Sequence, residues 1–160
     1  MRFCMVDRIV ALEEGASIAA IKNLTSGEEY LADHFPGFPI MPGVMMVESL
    51  VQTGAWLMRA TENFAYSTIL LKESRAVKFS NFVKPGQTLR MECKIHKRDE
   101  REYVLKCTGT VDGGQAVTGR LTLEQFNLSD HNAEMAETDR NCVELHRNQF
   151  DIIWTPAAQV

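Results

Sequence analysis

Residues 33–48 read DHFPGFPIMPGVMMVE, a loop rich in proline and glycine followed by the start of an apolar helix. The loop carries His34, and Glu48 follows 14 positions later. Each proline fixes one backbone dihedral angle, so the loop is stiffer than a simple connection requires. Imidazole suits proton abstraction near neutral pH, and a carboxyl group against an apolar wall suits proton donation. The stretch therefore indicates a base and an acid on two different elements, as removal or addition of water next to a carbonyl requires.

Residues 43–60 repeat apolar side chains at spacings of three and four, which is the period of an α-helix. One face carries Val44, Val47, Val51, Ala55 and Met58, and Met46, Leu50 and Leu57 add apolar surface on the other sides. A helix that is apolar nearly all round is a buried helix. The sequence therefore predicts one long central helix.

The rest of residues 1–126 favours β-strands joined by tight turns. Alternating patterns predict strands at 8–12, 17–24, 67–71, 76–80, 88–97, 102–111 and 115–125, with turns at 85–86 and 112–115. The predicted fold class is α+β, with a curved antiparallel sheet wrapped around the central helix. Such a sheet leaves an edge and an apolar flank to cover, which favours a dimer.

Residues 127–160 are expected to lie outside this domain, as a polar linker and a short C-terminal extension. Residues 127–140 are polar and acidic without periodicity, which is typical of a linker. Residues 141–158 regain apolar side chains and are expected to dock as a short extension. The pattern gives no sign of chemistry in this part of the chain.

Composition excludes several functional classes. The 160 residues are 45% hydrophobic and 24% charged with a net charge of −4, which gives no signal for nucleic acid or an anionic membrane surface. The longest apolar run is interrupted by Glu48 and Gln52 and is too short to span a bilayer. Asp7 and Arg8 arrive too early for a signal peptide, so a cytoplasmic location is expected.

The four cysteines, Cys4, Cys93, Cys107 and Cys142, are widely separated and lack the spacing of zinc ligands. They are expected to be reduced thiols, and Cys93 and Cys107 are expected to be core residues of strands. The sequence predicts no metal site.

Each candidate site residue also has a structural interpretation. Glu48 fits equally well at the rim of its helix, and a loop histidine such as His34 is more often a hydrogen-bonded structural residue. The Gly43 N–H begins the helix without an intrahelical acceptor, so it either marks the helix start or holds the oxygen of a polarised carbonyl. The stiff loop and the three groups together favour chemistry on a β-hydroxy carbonyl compound.

The stretch from His34 to Glu48 closely resembles the signature of the (3R)-hydroxyacyl-acyl carrier protein dehydratases of type II fatty acid synthesis, in the variety with a glutamate in the helix. Other segments of residues 5–126 are also similar, including Val77-Lys78-Phe79 and Val83-Lys84-Pro85-Gly86-Gln87. The resemblance implies the hotdog fold and a homodimer, with three dimers often forming a hexamer. It also implies a site at the dimer interface, where His34 of one chain faces Glu48 of the other.

The mechanism that the resemblance implies needs proton transfer only and therefore no cofactor. His34 takes a C2 proton, the Gly43 N–H steadies the enolate oxygen, and Glu48 protonates the departing C3 hydroxyl. Phe35 and Val44 are expected in the wall of the acyl tunnel, although a core role for Val44 is equally compatible. Gln52 is expected to form a hydrogen bond near the acid.

The implied partner is an acidic acyl carrier protein, which predicts a basic surface at the mouth of the site. Two groups of basic residues are candidates: Lys94, Lys97, Arg98 and Arg101, and Lys72, Arg75, Lys78 and Lys84. Such a group of basic residues is more often a solvated strand edge than a docking surface.

Several residues depart from the family pattern. Asp33 stands where glycine is usual and Phe38 where arginine is usual, and Val51 and Thr53 flank Gln52 where alanines are more usual. We expect Asp33 to point to solvent. These departures leave acyl chain length and pathway open. Two alternatives also remain, a hotdog acyl thioesterase and a catalytically silent acyl-binding or scaffold subunit.

Overall fold

The computed structural model describes residues 3–156. Its six strands are β1 (Arg8–Glu13), β2 (Ser17–Asn23), β3 (Thr68–Phe79), β4 (Thr88–Arg98), β5 (Glu102–Val111) and β6 (Gly114–Phe126). They form one antiparallel sheet in the order β1-β2-β4-β5-β6-β3. Helix α1 (Gly43–Thr61) packs against this sheet, and helix α2 (Ala136–Ile153) follows it. The predicted α+β class and hotdog fold are confirmed.

Helix α1 is the buried central helix that the apolar pattern predicts. Its core residues include Leu50, Leu57 and Met58, which are at most 1% exposed. Gly54 brings the helix close to the sheet, because a Cβ at this position would collide with Leu105. The middle of α1 is therefore fixed tightly against β5.

The segment after α1 forms one long strand, β3, where the sequence pattern predicts two short ones. Two register shifts against β6, between Leu71 and Glu73 and between Arg75 and Lys78, break the alternation of side chains. A β-bulge adds a residue and reverses which side chains face the core, while strand pairing continues. The prediction of separate strands at 67–71 and 76–80 is therefore wrong.

Two of the four cysteines lie where the sequence predicts them. Cys93 and Cys107 are paired residues on β4 and β5, and both are buried in the core. Burial raises the pKa of the Cys93 thiol well above its ordinary value. All four cysteines are free thiols.

The expected polar linker is wrong from Ala136 onward, because α2 begins there. Only residues 127–135 connect β6 to α2, and they form two short 3-10 turns, Leu128–Asp130 and Ala133–Met135. The inward positions of α2 are Asp139, Val143, His146, Phe150 and Ile153. This helical spacing is hard to recognise in the sequence because its first inward residue is a carboxylate and its third a histidine.

Asp139 anchors α2 to the end of the sheet. Its carboxylate accepts hydrogen bonds from the Ser67 hydroxyl, from the Leu128 N–H at 2.9 Å and from the Ser129 N–H at 2.9 Å. Burial alone would favour the neutral acid, but these donors outweigh it and hold the pKa of Asp139 well below its ordinary value.

We expect Asp139→Asn to lower the thermal unfolding midpoint at neutral pH. A depressed pKa means that the stability is present above the ordinary value of about 3.9 and is lost as pH falls through the folded-state value. The difference in midpoint between wild type and variant should therefore stay nearly constant from pH 7 to about pH 4 and shrink as the pH falls further. Asp151→Asn, at an exposed position of α2, is the control and should change little. Equal midpoints at pH 7 would contradict the anchoring role.

Among residues 3–156, neither helix combines the length and the apolar character that a membrane span requires.

Candidate active site

The loop that carries His34 is closed by two hydrogen bonds to Ile40, one from the backbone carbonyl of the histidine and one from its ring. The His34 carbonyl accepts from the Ile40 N–H at 3.0 Å, and the His34 Nδ1 lies 3.0 Å from the Ile40 carbonyl oxygen. A carbonyl oxygen can only accept, so Nδ1 carries the proton in the neutral ring. Nε2 is therefore the unprotonated nitrogen, which is the form a general base requires.

Further contacts hold the ring and the loop in place. Phe35 and Phe38 exchange backbone hydrogen bonds of 3.2 and 2.9 Å, and the Met41 N–H donates to the Val83 carbonyl at 2.9 Å. The His34 ring stacks on the Phe35 ring with centroids 4.2 Å apart. The His34–Phe35 peptide bond is cis. The loop thus presents His34 from a hydrogen-bonded frame rather than from a free connection.

Gly43 begins α1 directly beside this loop. Among the described residues its N–H has no hydrogen-bond acceptor, whereas the Pro42 carbonyl accepts from the N–H groups of Met45 and Met46. The Phe79 ring covers Gly43 closely enough that a Cβ there would lie 3.0 Å from two ring atoms. An open backbone donor at a helix start can stabilise a developing negative charge.

His34 and Gly43 face one pocket of about 420 Å³. Its lining includes His34, Phe35, Gly43, Met46, Phe79 and Phe82. The volume lies in the range of sites for small organic ligands. An imidazole ring, a backbone donor and an apolar wall are therefore brought together within one chain.

Glu48 does not line this pocket. Five residues of α-helix turn the chain by about 500°, so Glu48 points about 140° away from Gly43 around the α1 axis. The side chain is partly buried, and its Oε1 accepts from the Gln52 Nε2 at 2.8 Å. The Glu48 side chain thus lies on another face of the helix that begins at the pocket.

The Gln52 amide is oriented by the N-terminal segment. Its Oε1 accepts from the Met5 N–H at 2.9 Å, and its Nε2 also donates to the Phe3 carbonyl at 2.9 Å. Because a backbone N–H can only donate, the amide nitrogen must face Glu48. The expected hydrogen bond of Gln52 near Glu48 is confirmed.

Several other residues named in the sequence predictions have exposed side chains. Val44 is 74% exposed, so the alternative of a core role within this chain is wrong. Phe35 is 51% exposed and lines the pocket, and Asp33 is exposed as expected. Phe38 packs edge-on against Phe82 with ring centroids 5.9 Å apart.

The pocket also contains residues that the sequence pattern does not mark as functional, among them Phe79 and Phe82. Both are more than half exposed and lie at and after the end of β3. Neither follows a periodic pattern, and neither carries a titratable group that would mark it as functional. Only the tertiary contact between Phe79 and Gly43 reveals that this end of the sheet forms part of the site.

We expect Gly43→Ala to lower kcat/KM for the substrate of this pocket by about tenfold or more. The new methyl group lies too close to the Phe79 ring, pushes this ring into the pocket and so displaces bound substrate. The N–H is retained, and alanine favours a helix over glycine, so the unfolding midpoint should not fall. Gly27→Ala is a suitable control, because its nearest neighbour, the Thr25 Oγ1, would lie at an ordinary 3.6 Å. Steady-state rates and melting curves of both variants test this, and unchanged kcat/KM in Gly43→Ala would contradict it.

Comparisons with known proteins identify the family of the chain. The family model of the FabA-like domain matches residues 1–120. The 3-hydroxyacyl-(acyl-carrier-protein) dehydratase FabZ of Ligilactobacillus salivarius is 38% identical over 118 residues, which cover 74% of this chain and 84% of that protein. The FabZ of Thermomicrobium roseum is 39% identical over 140 residues, covering 86% of this chain and 89% of that protein.

Solved structures share the fold at low identity. The dehydratase heterocomplex ApeI:P from Xenorhabdus doucetiae has a TM-score of 0.67 and 18% identity, covering 83% of this chain and 90% of that one. A hypothetical thioesterase with coenzyme A from Streptococcus pneumoniae has a TM-score of 0.55 and 10% identity, covering 74% and 84%. The chain belongs to the FabA-like family, together with the FabZ dehydratases that it resembles over most of its length.

Proposed function

We propose that this protein removes water from (3R)-3-hydroxyacyl thioesters carried on acyl carrier protein and releases the trans-2-enoyl thioester. The observation that carries the proposal is the pocket in which the His34 base and the open Gly43 N–H meet. Membership of the FabA-like family and the similarity to FabZ dehydratases support the reaction and the carrier.

In the proposed mechanism His34 Nε2 takes a proton from C2 of the substrate. The electron pair of the broken C–H bond moves toward the thioester oxygen, and the Gly43 N–H stabilises the negative charge there. When the carbonyl re-forms, the C2–C3 double bond forms and the C3–O bond breaks. The Glu48 carboxyl group donates its proton to the departing hydroxyl, which leaves as water. A proton then returns from His34 to Glu48, and both residues are reset.

We propose that Glu48 is supplied by a second copy of the chain in a homodimer. The support is that Glu48 does not line the pocket of its own His34. Exposed apolar side chains surround that pocket and the adjoining strand edge, namely Phe35, Val44, Leu70, Leu71, Phe79 and Phe82. Apolar surface of this extent marks an interaction site, and the outer edge of β3 has no strand beside it within the described residues.

The carrier would approach from the side of the pocket where Lys84 lies. The Lys84 ammonium group is 5.3 Å from the Phe38 ring centroid, and Phe38 contacts the pocket residue Phe82. Several of the other basic candidates are already in ion pairs, such as Arg75 with Glu73 and Arg101 with Asp130. Lys84 is therefore the basic residue that we propose for contact with an acidic carrier.

The activity is tested with a short (3R)-3-hydroxyacyl thioester on acyl carrier protein and on coenzyme A, by following enoyl absorbance and free thiol separately. Enoyl formation without thiol release supports the proposal. Thiol release without enoyl formation would contradict it and identify a thioesterase. Binding of the thioester without turnover would also contradict it and indicate a silent acyl-binding subunit.

A further inference from the structure

A second cavity, of about 530 Å³, lies between α1, α2 and the N-terminal segment. Its lining includes Gln52, Trp56, Arg59, His146, Gln149 and Ile152, and it shares no lining residue with the pocket of His34. The walls combine aromatic and aliphatic side chains with polar ones. This is the composition of a site for a small amphiphilic molecule.

Among the residues of 3–156 that line this cavity, Arg59 is the only arginine or lysine. Its Nε atom is buried and has no hydrogen-bond partner, and the guanidinium carbon lies 5.1 Å from the centroid of the Trp56 ring. Within residues 3–156 Arg59 forms no ion pair, and no carboxylate lines the cavity. Burial lowers the pKa of Arg59 to about 10, so the side chain is still a cation at neutral pH.

A partly buried cation without an acidic neighbour is unfavourable unless an anion pairs with it. The planar guanidinium group suits a carboxylate, which can accept two parallel N–H bonds. The rings of Trp56 and the side chain of Ile152 offer apolar surface beside that position. We propose that this cavity binds a carboxylate attached to an apolar body, with Arg59 as the group that recognises the carboxylate.

The cavity lies next to the proposed acid of the active site. Glu48, Gln52, Trp56 and Arg59 follow each other at spacings of four, four and three, so they lie along one face of α1. Gln52 lines the cavity and also donates to Glu48. The acyl chain of a bound molecule that extends from Glu48 along this face of α1 would reach Arg59 with its far end.

The carboxylate therefore has two possible sources. It is either a free fatty acid or the distal carboxylate of an acyl chain whose thioester end lies at Glu48. The second source rests on the proposed function, whereas the first is independent of it. The chemistry recognised by Arg59 is the same in both cases.

Binding is tested in a Trp154→Phe background, in which Trp56 is the remaining tryptophan of the two in the chain. Titration with octanoate should change the Trp56 fluorescence, and 1-octanol should bind at least about tenfold more weakly, as expected for loss of charge-assisted hydrogen bonds. Arg59→Gln should remove this preference and Arg59→Lys should retain part of it. Arg147→Gln is the matched control, because Arg147 also lies over an aromatic ring, that of Phe64, but outside this cavity.

The second experiment compares turnover of two 3-hydroxyacyl thioesters of equal length, one ending in a methyl group and one in a carboxylate. If the carboxylate is the chain end, Arg59→Gln lowers kcat/KM at least about tenfold for the carboxylate-ended substrate alone. If it is a free acid, Arg59→Gln removes octanoate binding and leaves the ratio of the two substrates unchanged.

Equal binding of octanoate and 1-octanol by the wild type, together with equal wild-type kcat/KM for the methyl-ended and the carboxylate-ended substrate, would overturn the inference. The wild-type comparison decides this even if Arg59→Gln fails to fold. The octanoate titration does not need turnover, so its failure is distinguishable from failure of the proposed dehydratase activity.

Discussion

Replacing His34 with asparagine is expected to reduce kcat/KM for dehydration by about 10³-fold, because loss of a positioned general base costs roughly 10² to 10⁴ in rate. Asparagine is the sharper choice than alanine. Its amide N–H can still donate to the Ile40 carbonyl that now accepts from Nδ1, while the Nε2 base is removed. The measurement is enoyl absorbance with a short (3R)-3-hydroxyacyl thioester.

His96→Asn, at an exposed position of β4, is the matched control and should retain full activity. The unfolding midpoint of His34→Asn should stay close to that of the wild type, since the loop hydrogen bond is kept. Substantial turnover by His34→Asn would show that His34 only shapes the loop, and the proposed base would have to be abandoned.

Replacing Glu48 with glutamine is expected to reduce kcat/KM by a similar factor of about 10³, because an amide cannot protonate the departing hydroxyl. The change preserves size, and the amide oxygen can still accept from Gln52, so the N-terminal segment should remain in place. The unfolding midpoint should therefore not fall.

Glu144→Gln, on the exposed side of α2, serves as the control and should be fully active. Proton exchange at C2 of the substrate gives a second readout. Glu48→Gln should still exchange the C2 proton with solvent because His34 is intact, whereas His34→Asn should not. Loss of exchange in both variants to the same degree would contradict the separate roles of base and acid.

Regular hydrophobic patterns made the central part of the fold predictable. Helix α1 and strands β4, β5 and β6 begin and end within one or two residues of the predicted positions, since their side chains repeat or alternate over most of their length. The pattern failed where a local feature broke it. Bulges hid the continuity of β3, and the buried carboxylate of Asp139 hid the inward face of α2.

The candidate site was predictable only where its residues lie close together in the sequence. The loop of His34, the start of α1 at Gly43 and the pairing of Gln52 with Glu48 all follow from residues 33–52. Phe79 and Phe82 enter the pocket from a distant strand, so local spacing could not reveal them. Glu48 lies outside the pocket because its side chain points about 140° away from Gly43 around the α1 axis. This separation is a geometric reason for a site shared between two chains.

The most direct test of that shared site is to mix the two inactive variants. Homodimers of His34→Asn or of Glu48→Gln lack the base or the acid in every site and should be inactive. A mixed dimer can regain activity only if each site takes its base from one chain and its acid from the other. After unfolding and refolding an equal mixture, half of the dimers are mixed, and each has one site with both groups intact. We therefore predict recovery of about a quarter of the wild-type activity. No recovery, despite mixed dimers shown by differently tagged chains, would contradict the shared site.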